Sequence, residues 1–327
     1  MRLNGKWIIP GLIDAHAHTE RWMLPRFLTY GVTSVRDMGG RQDSIVALRD
    51  ETSLGSIPSP RLFIAGAVIG AGPTTAHEAR RAIDDRALID ATHAKVYTRI
   101  NPVLLAAILD EANMVSLPVA GHLGKIDALR AARMGVRSIE HLSGIVEATV
   151  RAPALFFAAH DDFFGGWSTA ERAWAALDST ELTETASALK QAGAGIVPTL
   201  VLHQSLAHIA DRAYRASLDL SGVPDPVRQA WNRSELARGV FGLGEGAVAL
   251  RQSRAAQDRF VRLFKRAGGL VAAGTDTPGP LLAPGASLHQ ELALLVAAGF
   301  TPREALIAAT RDAARLMGVD SIGVIEE

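Results

Sequence analysis

Residues 8–18 read IIPGLIDAHAH, an apolar run that ends in two histidines, as expected of a strand buried in a sheet. Runs rich in Ile, Val and Leu that end in Gly, Thr, His or Asp recur about eight times along the chain. They cover residues 7–17, 32–38, 61–68, 94–99, 115–121, 137–142, 195–201 and 269–274. Near-continuous apolar runs are typical of strands that are buried on both faces of a parallel sheet.

Helix-like segments separate these runs. Several of them close with a glycine where a helix C-cap would lie, namely Gly135, Gly193, Gly268 and Gly299. Strand–helix alternation of this kind predicts an α/β fold of the (β/α)8 TIM-barrel type, with an open doubly wound sheet as the alternative. Two long connections, residues 144–192 and 202–268, would form walls of the barrel mouth or packing insertions.

The composition is that of a globular protein. Of the 327 residues, 48% are hydrophobic and 21% charged, and 34 Lys and Arg balance 34 Asp and Glu. This balance excludes a disordered chain and argues against a nucleic-acid binder, and no stretch approaches the roughly 18 apolar residues of a membrane span. The absence of cysteine excludes disulfides, zinc–thiolate sites and cysteine nucleophiles. Because the first residues lead into an apolar strand rather than a signal segment, we expect a cytoplasmic protein.

Histidines and an aspartate follow several of the apolar runs. His16 and His18 lie two positions apart, so an extended strand projects both to the same side, where two imidazoles suit a divalent transition metal. The alternative is a pair of surface or hydrogen-bonded histidines. His122 and His141 end the fifth and sixth runs, and Asp276 follows the eighth. Because the carboxyl ends of barrel strands meet at one mouth, we expect these five side chains to converge.

Polar residues of the fourth and seventh runs are further candidates. Lys95 lies inside an apolar strand, where a lysine is costly unless it is paired or uncharged, and taken alone it is best explained as a lysine that reaches the rim or pairs with an acid. Tyr97 and Arg99 follow at alternating positions and would bind a substrate carboxylate or oxyanion, or else be a packed tyrosine and a rim arginine. His203 is expected to contact substrate at the mouth. The remaining histidines expected at the surface are His77, His160 and His208.

Residues 10–18 together with Lys95, His122, His141 and Asp276 resemble, in order and position, the amidohydrolase superfamily of metal-dependent hydrolases. Within that superfamily the chain is similar to the branch of prolidase-type Xaa-Pro dipeptidases and imidazolonepropionase-like enzymes. The segments that carry this closer similarity are residues 5–12, 287–292, 298–306 and 309–310.

The resemblance implies a distorted (β/α)8 barrel with a centre of two divalent metal ions, for which zinc is the expected metal. The first ion would be held by His16, His18 and Asp276, and the second by His122 and His141. Lys95 would be carboxylated and bridge the two ions. The implied activity is hydrolysis of an amide bond, in an Xaa-Pro dipeptide or an N-acyl amino acid, by a metal-bound hydroxide. Asp276 would be the catalytic acid–base that takes the proton of the water and passes it to the leaving group.

Two other functions stay open. One is a one-metal hydrolase or deaminase of cyclic amides, lactones or heterocycles, in which Lys95 is an ordinary lysine. The other is an inactive barrel that only binds metal. In each enzymatic case the partner is a small-molecule or dipeptide substrate, with no nucleic acid or membrane.

The chain also departs from the family pattern. Residues 1–327 read as one barrel domain, in which residues 1–9 and 318–327 would be remnants of a small β-sandwich that is otherwise largely missing. Residues 66–90 are short and lack the Gly-Gly-His turn that relatives often show after the third strand. Self-association into a homo-oligomer would cover apolar surface left by the missing sandwich.

Overall fold

The computed structural model of the chain describes residues 5–233 and 245–326. Part of the second long connection, residues 234–244, and the ends of the expected sandwich remnants, residues 1–4 and 327, lie outside the described residues. Within the described ranges the strands are β1 (Leu12–Ala17), β2 (Val32–Asp37), β3 (Arg61–Ile64), β4 (Ala94–Val96), β5 (Val119–Gly121), β6 (Ser138–Glu140) and β7 (Gly195–Val197).

The helices alternate with these strands and fill the two long connections. They are α1 (Leu24–Thr29), α2 (Gln42–Ser53), α3 (Ala76–Ala87), α4 (Pro102–Met114), α5 (Ala128–Met134), α6 (Ile145–Thr149), α7 (Ala154–Ala159), α8 (Phe163–Ala173), α9 (Ser179–Ala192), α10 (Leu200–Ala207), α11 (Arg212–Ser217), α12 (Asp225–Arg233), α13 (Glu245–Arg266), α14 (Ala286–Ala297), α15 (Pro302–Ala308) and α16 (Arg311–Met317). Within the described residues, no helix combines the length and the apolarity that a membrane span requires.

All the paired strands run parallel, in two sheets ordered β1-β2-β3 and β4-β5-β6-β7. Isolated bridges link the two sheets at both ends. Between β3 and β4, Ile69 pairs with Val96, the last residue of β4. Between β7 and β1, residues 271–277 pair with both strands, through Ile196–Val271 and Ala17–Thr277. The mixed α/β class with parallel strands is therefore confirmed, although the described strands do not form one continuous closed sheet.

The eighth predicted strand, residues 269–274, is present only as such bridges. The amide of Ala272 donates to the Ile196 carbonyl at 3.0 Å, and the Ala15 amide donates to the Ala273 carbonyl at 2.9 Å. The segment runs very close to β1, because a Cβ added to Gly274 would lie 2.9 Å from the backbone nitrogen of His16. Only glycine fits this approach, which brings Asp276 beside the end of β1.

The core lies between the strands and the surrounding helices, with Val35, Ile108, Ile139, Leu189 and Phe260 all fully buried. Several helices begin at a residue whose side chain caps them, and some end at a glycine in the left-handed region. In α5, for example, Asp127 accepts the amide of Arg130 at 2.8 Å, and Gly135 closes the helix with a φ of +114°. The strand ends are thereby held at one side of the molecule, where the candidate residues lie.

The strands are shorter than predicted at several ends. Trp7, Ile8 and Ile9, which were expected to begin the first strand, are exposed and precede β1. Apolarity alone placed them in a strand, but they have no neighbouring strand to pair with among the described residues. β4 likewise ends at Val96, so the alternation that placed Tyr97 and Arg99 on the face of Lys95 does not extend to Arg99.

Candidate metal centre and active site

His16, His18 and Asp276 meet at one point above the end of β1. The Nε2 atoms of His16 and His18 each lie 3.2 Å from Oδ1 of Asp276. The ligand atoms of the three side chains lie within 4.8 Å of one another, and they form the one group of three or more His, Asp or Glu side chains in the described residues that does so. The Asp276 amide donates to the His16 carbonyl at 2.8 Å, which ties the two segments together.

The opposite nitrogens of these rings are already bonded. Nδ1 of His16 lies 2.6 Å from Oε2 of Glu140, and Nδ1 of His18 lies 2.5 Å from the carbonyl oxygen of Gly39. A carbonyl and an ionised carboxylate can only accept, so both Nδ1 atoms donate, and Nε2 is the nitrogen that each ring directs at Asp276. Although burial acts against it, the hydrogen bond to Asp276 and the charge of Asp276 raise the pKa of His18, so the arrangement favours a positive charge, a proton or a metal ion, between the rings and this carboxylate.

His141 and His122 lie beside this group. Nε2 of His141 is 3.9 Å from Oδ1 of Asp276, its ring centroid is 4.3 Å from that of His16, and its Nδ1 is 2.8 Å from the Thr199 hydroxyl oxygen. The ring centroids of His122 and His141 are 4.9 Å apart. The structure thus brings the four predicted histidines and Asp276 to one mouth.

Lys95 is only 1% exposed, and its Nζ has no hydrogen-bond partner among the described residues. It therefore neither reaches the rim nor pairs with a described acid, which were the two ordinary explanations for a lysine in this strand. Burial lowers the pKa of Lys95 to about 8, so the neutral amine is accessible close to physiological pH.

The charge states suit ligation. Burial lowers the pKa of His122 and of His141 well below the usual range, and the nearby Lys95 and His16 act in the same direction, so both rings are neutral. Burial alone would raise the pKa of Asp276, but the surrounding imidazoles hold it well below its usual range. The neutral imidazoles of His122 and His141 and the carboxylate of Asp276 are in the form in which these side chains bind divalent transition metals.

Three polar residues that sequence reasoning missed support the centre from inside the strands. Oε1 of Glu140 accepts from the Arg36 guanidinium at 3.2 Å and from the Ser138 hydroxyl at 2.6 Å. Although burial would raise the pKa of Glu140, Arg36 and His16 hold it well below its usual range. Glu140 is thus a buried carboxylate that fixes the orientation of His16. The sequence did contain a signal for them, since Glu140 and Arg36 are an acid and a base within otherwise apolar runs.

Three residues of the mouth adopt the left-handed backbone region although they are not glycine. The φ values are +56° for His141, +46° for Thr199 and +65° for Asp276. Such conformations cost about 1–2 kcal/mol per residue and are kept where the surrounding structure determines them. Here they turn the chain sharply after β6, β7 and residues 271–275.

The three predicted substrate residues have different positions and different partners in the structure. The ring centroid of Tyr97 is 4.7 Å from that of His122, so Tyr97 borders the centre. Arg99 is exposed and donates to the carbonyl of Asp161 at 3.2 Å. His203 is buried on α10, with its Nδ1 3.0 Å from Oε2 of Glu171. Substrate binding by these three residues stays a prediction.

The expectation of a surface position holds for His77, which is exposed, but is wrong for His160. His160 is 3% exposed, with its Nε2 3.2 Å from Oε1 of Glu147. The polar run His160-Asp161-Asp162 indicated a surface loop, but α7 and α8 fold back and bury its first residue. His208 is half-buried.

A family model described as the amidohydrolase family matches residues 7–327, and the chain belongs to this family. The resemblance, the α/β fold with a TIM-like barrel and the expectation of a hydrolase of the amidohydrolase type are therefore confirmed. Members of the family usually bind metal ions. None of the curated proteins compared with the sequence matches it.

Several solved structures share this fold. A bottromycin amidohydrolase is 25% identical with a TM-score of 0.70, over 96% of this chain and 68% of that chain. A putative prolidase from Bifidobacterium longum is 23% identical with a TM-score of 0.65, over 97% of this chain and 72% of that chain. A Xaa-Pro dipeptidase with bound methionine in its active site is 18% identical with a TM-score of 0.65, over 97% and 78%.

Proposed function

We propose that the protein is a metal-dependent amide hydrolase that acts on Xaa-Pro dipeptides or N-acyl amino acids. The observation that carries the proposal is the convergence of three ligand atoms, Nε2 of His16, Nε2 of His18 and Oδ1 of Asp276, within 4.8 Å. The similarity to a putative prolidase and a Xaa-Pro dipeptidase supports the substrate class.

The residues present fit a centre of two ions. His16, His18 and Asp276 would hold the first ion, and His122 and His141 the second, with zinc as the expected metal. Two buried atoms that face each other, Nε2 of His16 and Oδ1 of Asp276, lack a hydrogen-bond partner of good geometry among the described residues, as expected of ligand atoms. When bound, the ions would supply Lewis acidity that polarises the substrate carbonyl and lowers the pKa of a water molecule.

Lys95 would complete the second half as a carbamate. Its neutral amine attacks carbon dioxide, an N–C bond forms at Nζ, and one amine proton is released, which leaves an anion with two oxygen donors. The burial that lowers the pKa of Lys95 to about 8 favours the amine that this reaction needs. His122 and His141 are uncharged, so the negative charge of the carbamate would be offset by the bound cations rather than by these side chains.

Asp276 would transfer a proton from the attacking water to the leaving amine. The neighbouring imidazoles keep its carboxyl group ionised at neutral pH, so it can accept a proton from the attacking water. The same group can then give this proton to the nitrogen of the leaving amine, which departs as a neutral molecule. Its position beside both His18 and His141 places it within reach of each half of the centre.

Metal analysis of the purified protein tests the proposal, together with assays on Xaa-Pro dipeptides and N-acyl amino acids before and after chelation. We expect activity to disappear on chelation and to return when zinc is added back. Activity that survives complete metal removal would contradict the proposal. Bound metal without any rate above buffer across the substrate panel would instead favour the inactive metal-binding barrel.

A second candidate is the one-metal hydrolase or deaminase of cyclic amides, lactones or heterocycles. It is favoured by one observation: in the described residues, only the His16, His18 and Asp276 ligand atoms form a compact three-residue group. One equivalent of metal per chain, with Lys95 unmodified by mass spectrometry, would select this candidate over the first.

A further inference from the structure

A cavity of about 440 Å³ opens beside His18, between the segments that follow β1 and β2. The side chain of His18 is 37% exposed in its wall, whereas His16 is fully buried. On the side of His122, the rings of Tyr97 and Trp167 pack edge-on against the imidazole. A substrate bound at His18 therefore finds space in this cavity.

The cavity has an apolar wall and a polar rim, both supplied by α2. Ile45 and Leu48 contribute apolar side chains that are 4% and 6% exposed. One turn earlier, Arg41 and Ser44 lie at the exposed start of the same helix. The cavity thus suits a ligand that carries an apolar group next to a polar or charged one.

Most of the charged groups in the wall are already paired. Nη1 of Arg21 donates to Glu51 at 2.8 Å in a two-point ion pair. The carboxylate of Asp37 accepts the amides of Thr19 at 2.6 Å and Gly39 at 3.0 Å. Neither Arg21 nor Asp37 is therefore directed at a ligand.

Two charged groups at the rim remain. Oε2 of Glu20 accepts the indole N–H of Trp22 at 2.9 Å. The guanidinium of Arg41 makes no hydrogen bond or ion pair with any described residue, and Arg41 is exposed beside the cavity. Glu20 therefore remains a carboxylate that accepts from Trp22, and Arg41 is the cation left for a ligand, with a planar, two-point donor geometry.

We infer that this cavity is the subsite for a substrate carboxylate and that Arg41 is its specificity-determining residue. The inference rests on the proposed function and sharpens it: the hydrolysed amide lies at His18 and Asp276, and the carboxylate of the same substrate binds Arg41. An apolar side chain next to that carboxylate packs on Ile45 and Leu48. N-acyl amino acids with apolar side chains fit this description, whereas a neutral cyclic amide does not engage Arg41.

The test compares the binding of N-acetyl-L-leucine with that of its neutral amide, N-acetyl-L-leucinamide, by titration calorimetry. Both metal-loaded and metal-free protein are used, since a carboxylate could bind a metal directly. We expect wild-type protein to bind the acid at least about tenfold more tightly than the amide in both forms, the size of one charge-assisted hydrogen-bond pair.

Arg41→Gln should remove this difference, and Arg41→Lys should restore part of it. Arg81→Gln is the matched control, because Arg81 is an exposed arginine of α3 outside the cavity, and it should keep the full difference. A preference for the acid that survives in Arg41→Gln overturns the inference. So does a wild-type protein that shows no preference or binds neither probe.

Failure of the subsite and failure of the proposed function give different results. Metal binding and amide hydrolysis without a preference for the carboxylate overturn the subsite alone. A protein that retains no metal and hydrolyses none of the amides overturns the proposed function, while the metal-free titration still reports on Arg41.

Discussion

The two halves of the candidate centre differ in how complete they are. In the half formed by His16, His18 and Asp276, the ligand atoms already converge, and two side chains, those of His18 and Asp276, are partly open to solvent. In the half formed by His122, His141 and Lys95, every residue is at least 96% buried, and the lysine offers no lone pair to a cation while it is an ammonium.

The two halves differ in the charge that their side chains carry as well as in how closely their ligand atoms converge. The first half contains a carboxylate, so its own side chains offset part of the charge of a divalent ion. The second half contains two neutral imidazoles and an amine, and an ammonium on Lys95 would repel a cation. Under the proposed function, the first half would bind a metal as folded, whereas the second half would depend on the carboxylation of Lys95.

Asp276→Asn is the change with the largest expected effect, because Asp276 lies beside His16, His18 and His141 and serves both halves. We expect turnover to fall by about 10²–10⁴-fold, since an amide can neither accept the proton nor offset the metal charge. Steady-state kinetics and metal content measure the effect. Asp161→Asn, at an exposed carboxylate, is the control, and wild-type turnover in Asp276→Asn would exclude the proposed role.

Lys95→Ala should change the metal content of the second half of the centre but not that of the first. Without the amine no carbamate forms, so we expect the second ion to be lost while the His16 and His18 half keeps the first. Metal content per chain, measured after gel filtration, shows the difference. Lys125→Ala is the control, since Lys125 pairs with Asp161 near the surface. Equal metal content in Lys95→Ala and wild type would argue for a centre that never used the lysine.

Much of the fold and of the site could be predicted from the sequence because both depend on strand ends. Seven of the eight apolar runs contain a strand, and His16, His18, His122 and His141 lie at or just after such ends. In a parallel barrel that position alone brings residues together whose numbers differ by more than a hundred. Periodicity and chemistry were sufficient for this step.

The supporting contacts could not be predicted in the same way. Glu140 meets His16 across 124 positions, and Thr199 meets His141 across 58, through geometry that no local pattern encodes. The burial of His160 depends on how α7 and α8 fold back, so its polar neighbours misled the prediction. Arg99 was placed by alternation that stops when β4 ends at Val96.

Thr199→Val tests one of these supporting contacts. The Thr199 hydroxyl oxygen lies 2.8 Å from Nδ1 of His141, and valine keeps the β-branched shape at the same left-handed backbone position. We expect about tenfold weaker binding of the ion in the second half, the lower end of the usual effect of removing a partner of a metal-binding histidine. Titration with zinc measures it, and the ion held by His16 and His18 should bind as before.

Thr199→Ser is the matched control, because serine keeps the hydroxyl group. It should retain the affinity of the second half to within a small factor, whereas Thr199→Val should not. Equal affinities in the two variants would show that the hydroxyl does not orient His141.

Glu291→Gln should have the smallest effect, and it acts on stability rather than on the metal. Oε2 of Glu291 accepts the amide of Val201 at 2.7 Å at the start of α10, two residues after Thr199. Burial raises the pKa of Glu291 from 4.5 to about 8, so the folded protein holds this proton more tightly than the unfolded chain. The resulting stability is fully present below pH 4.5 and is lost as pH rises to about 8.

The slope contributed by this one group is at most about 1.4 kcal/mol per pH unit. Glutamine keeps an acceptor for the Val201 amide but carries no titrating proton, so the variant should lose stability less steeply between pH 5 and 8. Urea unfolding of metal-free wild type and variant across this range gives the two curves. Asp14, whose pKa burial raises to about 7, titrates in both proteins, and its charge also raises the pKa of Glu291, so it cancels in their difference only in part. Parallel curves would mean that Glu291 is already ionised when folded, and that the start of α10 tolerates a buried charge beside the turn that carries Thr199.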